Sequence, residues 1–210
     1  MRYLGFATLV FLMGSWLVAR DQPIPWEQLY KKDGIEVFRA KLSGSKFVAF
    51  RGTATISTTP DLIVDVFKDA PRWKEWTDLL LSGKILEPRK ANHLIFYQAF
   101  DSPPFIRDRD AVYDVHFKKD PSSGIVTVVG KSREYPQAPE TVGVRMDIDF
   151  SRWTLTPKDG KTYVELEMHA DPGGWIPSWV VNMVQRDYAY DLLFALRRQA
   201  HKILRERNLN

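Results

Sequence analysis

Asp171-Pro172-Gly173-Gly174-Trp175-Ile176-Pro177-Ser178-Trp179 leads straight into the last long helical pattern of the chain. Two glycines admit positive φ and Pro177 is preset for a first helical turn, so the stretch predicts a sharp strand-to-helix corner. From 179 to 203 the pattern carries Val180, Met183, Val184, Tyr190, Leu193, Phe194 and Leu196, a broad apolar face that opens on a bulky Trp179 and a soft Met183. A helix of roughly 28 residues, about 42 Å long at 1.5 Å per residue, needs a large concave surface to cover.

The strands before the corner supply that surface. Ala111/Tyr113/Val115/Phe117, Val144/Met146/Ile148/Phe150 and Val164/Leu166/Met168/Ala170 alternate with Asp114/His116, Arg145/Asp147/Asp149 and Glu165/Glu167/His169. Period two with one polar side predicts an antiparallel sheet that is wet on one face. Strands are predicted over 35–41, 47–56, 83–87, 93–100, 110–118, 125–132, 144–156 and 163–170, separated by turn signals such as Asp33-Gly34, Asp120-Pro121 and Asp159-Gly160. A short helix is expected at 26–31. A longer one starts at Thr58-Thr59-Pro60-Asp61, an N-cap with Pro at the first helical position, and Pro71 divides it from a further helical piece at 72–80. A one-sided sheet must curve around a partner, and the long partner is the C-terminal helix, so the fold class is α+β.

The 210 residues suit a single domain, with 44% hydrophobic and 13% aromatic residues enough for a core and an apolar pocket. Cysteine is absent, which excludes disulfides, thiolate zinc sites and thiol nucleophiles. The net charge is +4, and Arg186, Arg197, Arg198, Lys202, Arg205 and Arg207 fall in the last helix. These cations are read as a solvated face, or as weak attraction to an anionic bilayer at about 1 kcal/mol each; no RNA-binding motif accompanies them, so nucleic acid is not expected. Met1-Arg2, an uncharged run of about 16 residues and Ala19 before a polar segment read over 1–20 as an export signal or an uncleaved N-terminal anchor. The expected location is outside the cytoplasm, the periplasm for a bacterial chain, or tethered to the membrane.

Three local motifs resemble the START lipid-transfer family: Trp73-Lys74-Glu75-Trp76; Pro103-Pro104-Phe105 leading to Arg109-Asp110; and the corner at 171–177 followed by Trp179 and Asn182. The resemblance covers about 27–207, with a START-like domain at 24–207. It implies a helix-grip fold, a curved antiparallel sheet wrapped around a long C-terminal helix with an internal apolar cavity that holds one lipid. Family ligands include sterols, phospholipids and ceramides. Sterol-binding members keep a charged pair deep in the cavity, and Gln98 and Val115 or His116 stand near those positions, which speaks against a sterol.

The expected ligand contacts are Trp73, Trp76, Gln98, Phe100, Tyr113, Met146, Ile148, Met168, Trp175, Trp179, Met183 and Tyr190. Trp73 and Trp76 are read first as anchors of a short helix on the sheet and second as lid aromatics touching ligand, and the aromatics at the corner as ligand or membrane contacts. The expected gate comprises Arg109, Asp110, Asp171, Pro172, Gly173, Gly174 and Pro177. Arg107-Asp108-Arg109-Asp110 alternates across a strand and cannot converge on one atom. Four scattered histidines offer no local metal scaffold, and no nucleophile elbow, P-loop or dinucleotide fingerprint occurs. The chain therefore reads as a monomeric carrier of a hydrophobic molecule, with no cofactor or metal and transient membrane contact. The alternatives are a polyketide aromatase/cyclase-like enzyme or a ligand sensor on the same fold.

Overall fold

The computed structural model describes residues 23–87 and 92–209; within the last helix the side chains at 178–179 and 182–186 are not among the described ones. The expected export signal or anchor over 1–20 therefore lies outside the described residues. Among these, one sheet of ten strands, antiparallel except for one short parallel pairing, wraps the C-terminal helix in the expected helix grip.

The chain enters through β1 (Glu27–Lys32) and β2 (Ile35–Lys41), then β3 (Val48–Ile56). Residues 26–31, expected as a helix, are instead an edge strand. The Asp33-Gly34 turn, with both φ values positive, sets a tight hairpin whose register places Lys32 opposite Ile35 and Lys31 opposite Glu36. Six residues with one outward face gain more from that ladder than from an isolated helical turn.

α1 (Pro60–Lys68) follows, its Leu62 N–H donating to the Thr59 hydroxyl at 3.4 Å. A 3-10 turn (Ala70–Glu75) carries Trp73, and β4 (Leu80–Ile85), β5 (His93–Phe100), β6 (Arg109–Lys119) and β7 (Val126–Ser132) extend the sheet. The expected strand at 144–156 is two: β8 (Val144–Arg145), which runs parallel to β6, and β9 (Asp147–Lys158). The break has a cause. Val144 N–H donates to the Asp108 carbonyl and Met146 N–H to that of Asp110, so 144–146 must follow β6 before β9 can turn to pair with β10 (Lys161–Asp171).

Spatial order is β1-β2-β3-β10-β9-β7-β6-β5-β4. A register shift between His169 and Ala170 turns Ile148 and Trp153 inward but Phe150 outward, where its ring lies 6.1 Å from that of His169.

α2 (Ser178–Leu209) has 32 residues, about 48 Å of helix. It packs on the sheet through Ala189, Leu193, Leu196, Ala200 and Ile203, all buried. Gly52 on β3 makes room: a Cβ there would sit 2.6 Å from Leu193 Cδ1. Phe194, expected on this face, is 39% exposed and stacks on Tyr190 outside. The helix cations are largely paired with the body, Lys202 with Glu75 at 2.9 Å, Arg207 with Asp65 at 2.8 Å and Arg197 with the Asp33 carbonyl at 2.8 Å.

The sheet's outer face is not wet throughout. Residues 133–143 cross it, and Tyr135, Ala138 and Leu86 cover Ile95, Tyr97, Ala99 and Val112. Glu167 and His169, expected exposed, are buried there as well.

Candidate functional site

Between the inner face of the sheet and α2 lie two adjoining spaces. The inner one, about 120 Å³, is walled by Trp73 and Trp76, by Phe96 and Gln98 of β5, by Val115 and Phe117 of β6, by Trp153 and by Leu192 of α2. The outer one, about 410 Å³, is bounded by Phe100, Met146, Ile148 and Ala170, by Pro103, Pro104 and Ile106, by Pro172 and Ile176 of the corner, and by Val180 and Val181. Tyr113, Met168 and Tyr188 border both, so the two form one cavity with a waist. Its size falls in the range of about 300–1,000 Å³ common for small-molecule sites.

Local sequence sets each wall. Alternate residues of β6 face inward from Arg109 through Tyr113 to Phe117, and Met168 and Ala170 do so on β10. Trp73 is both anchor and wall. Its indole N–H donates to the Phe67 carbonyl at 3.0 Å, its ring lies 5.0 Å from Phe96, and Gly83 leaves it space, since a Cβ there would approach the ring to 2.7 Å.

Polar groups in this lining are few and mostly unpaired. The Trp76 indole nitrogen is buried without a hydrogen-bond partner. Neither the Gln98 amide nor the hydroxyls of Tyr113 and Tyr188 has a side-chain hydrogen bond among the described residues. Burial pushes the Tyr188 hydroxyl up to about 12 and that of Tyr113 higher still, so both remain protonated. Such groups can orient the polar end of an apolar guest.

The corner that closes the outer space is pinned. Arg109, 6% exposed, donates to the carbonyls of Pro172 at 3.4 Å and Gly173 at 3.3 Å, and to that of Arg107. Burial, then the neighbouring Arg107, lowers its pKa. Gly173 and Gly174 have φ of 66° and 63°, and a Cβ on Gly173 would lie 2.8 Å from Val144. These glycines serve a left-handed turn packed against β8. Asp171 caps the turn through the Gly173 N–H at 2.8 Å, and Pro177 starts α2 by accepting from the Val180 N–H at 2.9 Å.

Several expected contacts stand elsewhere. Trp175 is 89% exposed and points away from the cavity. Tyr190 lies outside, its hydroxyl bonded to Asp33 and its ring under Lys32. The helix has two apolar arcs, one on the sheet and one on the cavity, and Tyr188 rather than Tyr190 has the cavity phase. Trp179 and Met183 have side chains outside the described ones. Asp110, expected at the gate, faces the other side of the sheet. Fully buried, it accepts from Tyr97 at 3.1 Å, from the Val142 N–H at 2.9 Å and from Arg145. Arg145 accordingly belongs to this network and not to an exposed charge ladder.

Also on the outer face, His169 lies between Asp149 at Nδ1 and Ser45 Oγ at 2.9 Å from Nε2. The order is that of a hydrolase triad, but Met168 and Ala170 on either side of it face the cavity, so His169 is turned away. Its bonds fasten the β2–β3 loop to β9 and β10.

A family model described as START domain matches residues 20–203. An uncharacterised protein of Pseudomonas aeruginosa is 28% identical over 96% of this chain and 98% of its own length. The phosphatidylcholine transfer protein of Bos taurus is 26% identical over 77% of this chain and 78% of its own. The crystal structure of a STAR-related lipid transfer protein from Xanthomonas axonopodis superposes with a TM-score of 0.76 at 28% identity, covering 84% of this chain and 98% of that one.

Proposed function

The chain belongs to the START domain family, and on that premise we propose that it encloses one lipid or similar hydrophobic molecule and carries it between membranes. The observation behind this reading is the waisted apolar cavity, in whose lining the Trp76 indole nitrogen is buried without a hydrogen-bond partner and Gln98, Tyr113 and Tyr188 make no side-chain hydrogen bond among the described residues. An unpaired buried hydroxyl costs about 1–3 kcal/mol, a cost that a guest's polar group removes. Burying a few hundred Å² of hydrocarbon at about 25 cal/mol per Å² adds several kcal/mol, enough for carriage without a covalent bond. Its expected contacts are Trp73, Trp76, Gln98, Phe100, Tyr113, Met146, Ile148 and Met168, joined by Tyr188.

Membrane contact fits the mouth better than the basic helix. Phe105 and Trp175 are fully or nearly fully exposed and flank residues that line the outer space, whereas the helix cations are engaged with Glu75, Asp65 and Asp33. Aromatic side chains at that place suit the interface of a bilayer, and the work would be done outside the cytoplasm. The chain is read as a carrier and not an enzyme, in keeping with relatives that are lipid transfer proteins.

Native mass spectrometry of protein purified from its own source, followed by extraction, tests the proposal. A co-purifying lipid at one equivalent supports it; a water-filled cavity that takes up no lipid from vesicles refutes it.

A further inference from the structure

Strand pairing gathers what the sequence leaves scattered. In the register of β5 and β6, His93 stands directly opposite His116. Asp114 lies two residues from His116 on the same outer face, behind the cavity wall formed by Val115 and Phe117. The rings of the two histidines stack with centroids 4.4 Å apart. His93 Nε2 is 2.7 Å and His116 Nε2 3.1 Å from one and the same atom, Asp114 Oδ1. All three donor atoms lie within 4.8 Å of one another.

We propose that His93, His116 and Asp114 form a site for a late first-row divalent metal ion, with zinc as its biological occupant. Two imidazole nitrogens and one carboxylate oxygen favour such ions over magnesium or calcium, which take mainly oxygen donors. Donors at about 2.0–2.2 Å from a tetrahedral ion stand roughly 3.3–3.5 Å apart, so side-chain movements on the order of an ångström from the present 2.7 Å and 3.1 Å contacts admit the ion. Three protein donors leave the fourth position for water.

The surroundings are those of a half-built pocket. His93 and Asp114 have side chains 17% and 12% exposed, while His116, at 64%, leaves the way in open. Arg133 holds the other carboxylate oxygen, Oδ2, at 2.9 Å, which orients the group and leaves Oδ1 to the ion. Arg133 and Lys131, the latter opposite Asp114 in the β7 register, place positive charge nearby and temper the affinity. On binding, each imidazole carries its proton on Nδ1 and gives its Nε2 lone pair to the metal. The ion would tie the start of β5 to β6 with no part in holding the lipid.

Zinc titrated calorimetrically into the chelator-stripped full chain at about pH 7.5 should show binding at one equivalent. His93→Ala and His116→Gln should each weaken it by more than about tenfold, the scale reached even by partners one shell out, while His201→Ala leaves it unchanged. Circular dichroism checks that each variant is folded, and His116, with a side chain 64% exposed, is the substitution that disturbs the fold less. Copper(II) serves as a second probe, with nitrogen hyperfine structure from two imidazoles in the parent and one in each single variant. Zinc heat that is absent at millimolar metal, or that survives the double substitution, overturns the proposal. Loss of zinc with lipid content unchanged separates this outcome from failure of the carrier reading.

Discussion

Asp110 and Tyr113 stand three residues apart on β6 and face opposite sides of the sheet. On the outer side Asp110 is fully buried and each of its oxygens is used, by Arg145, Tyr97 and the Val142 N–H. On the inner side the Tyr113 hydroxyl, which shares the cavity lining with Tyr188, Gln98 and the unpaired Trp76 indole, makes no side-chain hydrogen bond among the described residues. Both sides are shielded from water, yet only one is hydrogen-bonded from within. A satisfied buried network holds the fold, whereas unsatisfied groups in an apolar space await something from outside.

Four measurements can break or sharpen this contrast. The largest effect is expected on the outer side. Asp110→Ala leaves Tyr97 and the Val142 N–H without an acceptor and Arg145 with the Pro139 carbonyl but no carboxylate, and should cost about 3 kcal/mol in urea unfolding, the low end for breaking a buried pair, while the folded fraction keeps its lipid. A cost below about 1 kcal/mol would show that the network is incidental. Next comes Gly83→Ala, which presses a methyl group on the Trp73 ring and should cost about 1–3 kcal/mol and narrow the inner space. Longer-chain lipids should then be lost before shorter ones.

Tyr113→Phe and Tyr188→Phe, alone and together, should leave thermal stability unchanged or raised, because each removes an unpaired hydroxyl. Each should weaken lipid retention by about 2- to 10-fold, one hydrogen bond's worth. A stability loss with intact retention would reverse the contrast. The smallest effect belongs to the surface. Glu75 is held down to about 2, first by Arg72 and then by Gln199 and Lys202, against an ordinary value of 4.5. Its contribution to fastening the 3-10 turn on α2 is full above 4.5 and is lost as pH falls from there through about 2. Thermal midpoints should therefore drop more steeply in that window than those of Glu75→Gln.

Much of the architecture was legible because its signals are local. Asp33-Gly34 and Asp159-Gly160 adopt the expected tight turns, Thr59-Pro60 caps α1, and the period-two runs become strands. What escaped depends on distant partners. β1 is a strand only because β2 is beside it, and 144–146 bends to follow β6. The cover at 133–143 has no periodicity that would announce it. At the site, the wall residues of β5, β6 and β10 follow from alternation, but the helix carries apolar residues on two arcs, and the apolar pattern pointed to Tyr190 where Tyr188 has the cavity phase. The bulk of Trp175 suits ligand and membrane contact alike, and only its exposure puts it on the outside of the mouth. His93 and His116 meet across a register that no spacing in the chain expresses.

The pairing of β3 with β10 joins Ile56 to Thr162 and Phe50 to Met168, more than half the chain apart. Closing so long a loop costs conformational entropy that only the finished sheet repays, so folding should be slow, on the order of milliseconds to seconds. Synthesis adds a further order of events. The strands that flank this seam exist long before their partner does, and α2, the opposite wall of the cavity, follows β10 in the chain, so no enclosed space exists until the whole sheet and the helix after it have been made.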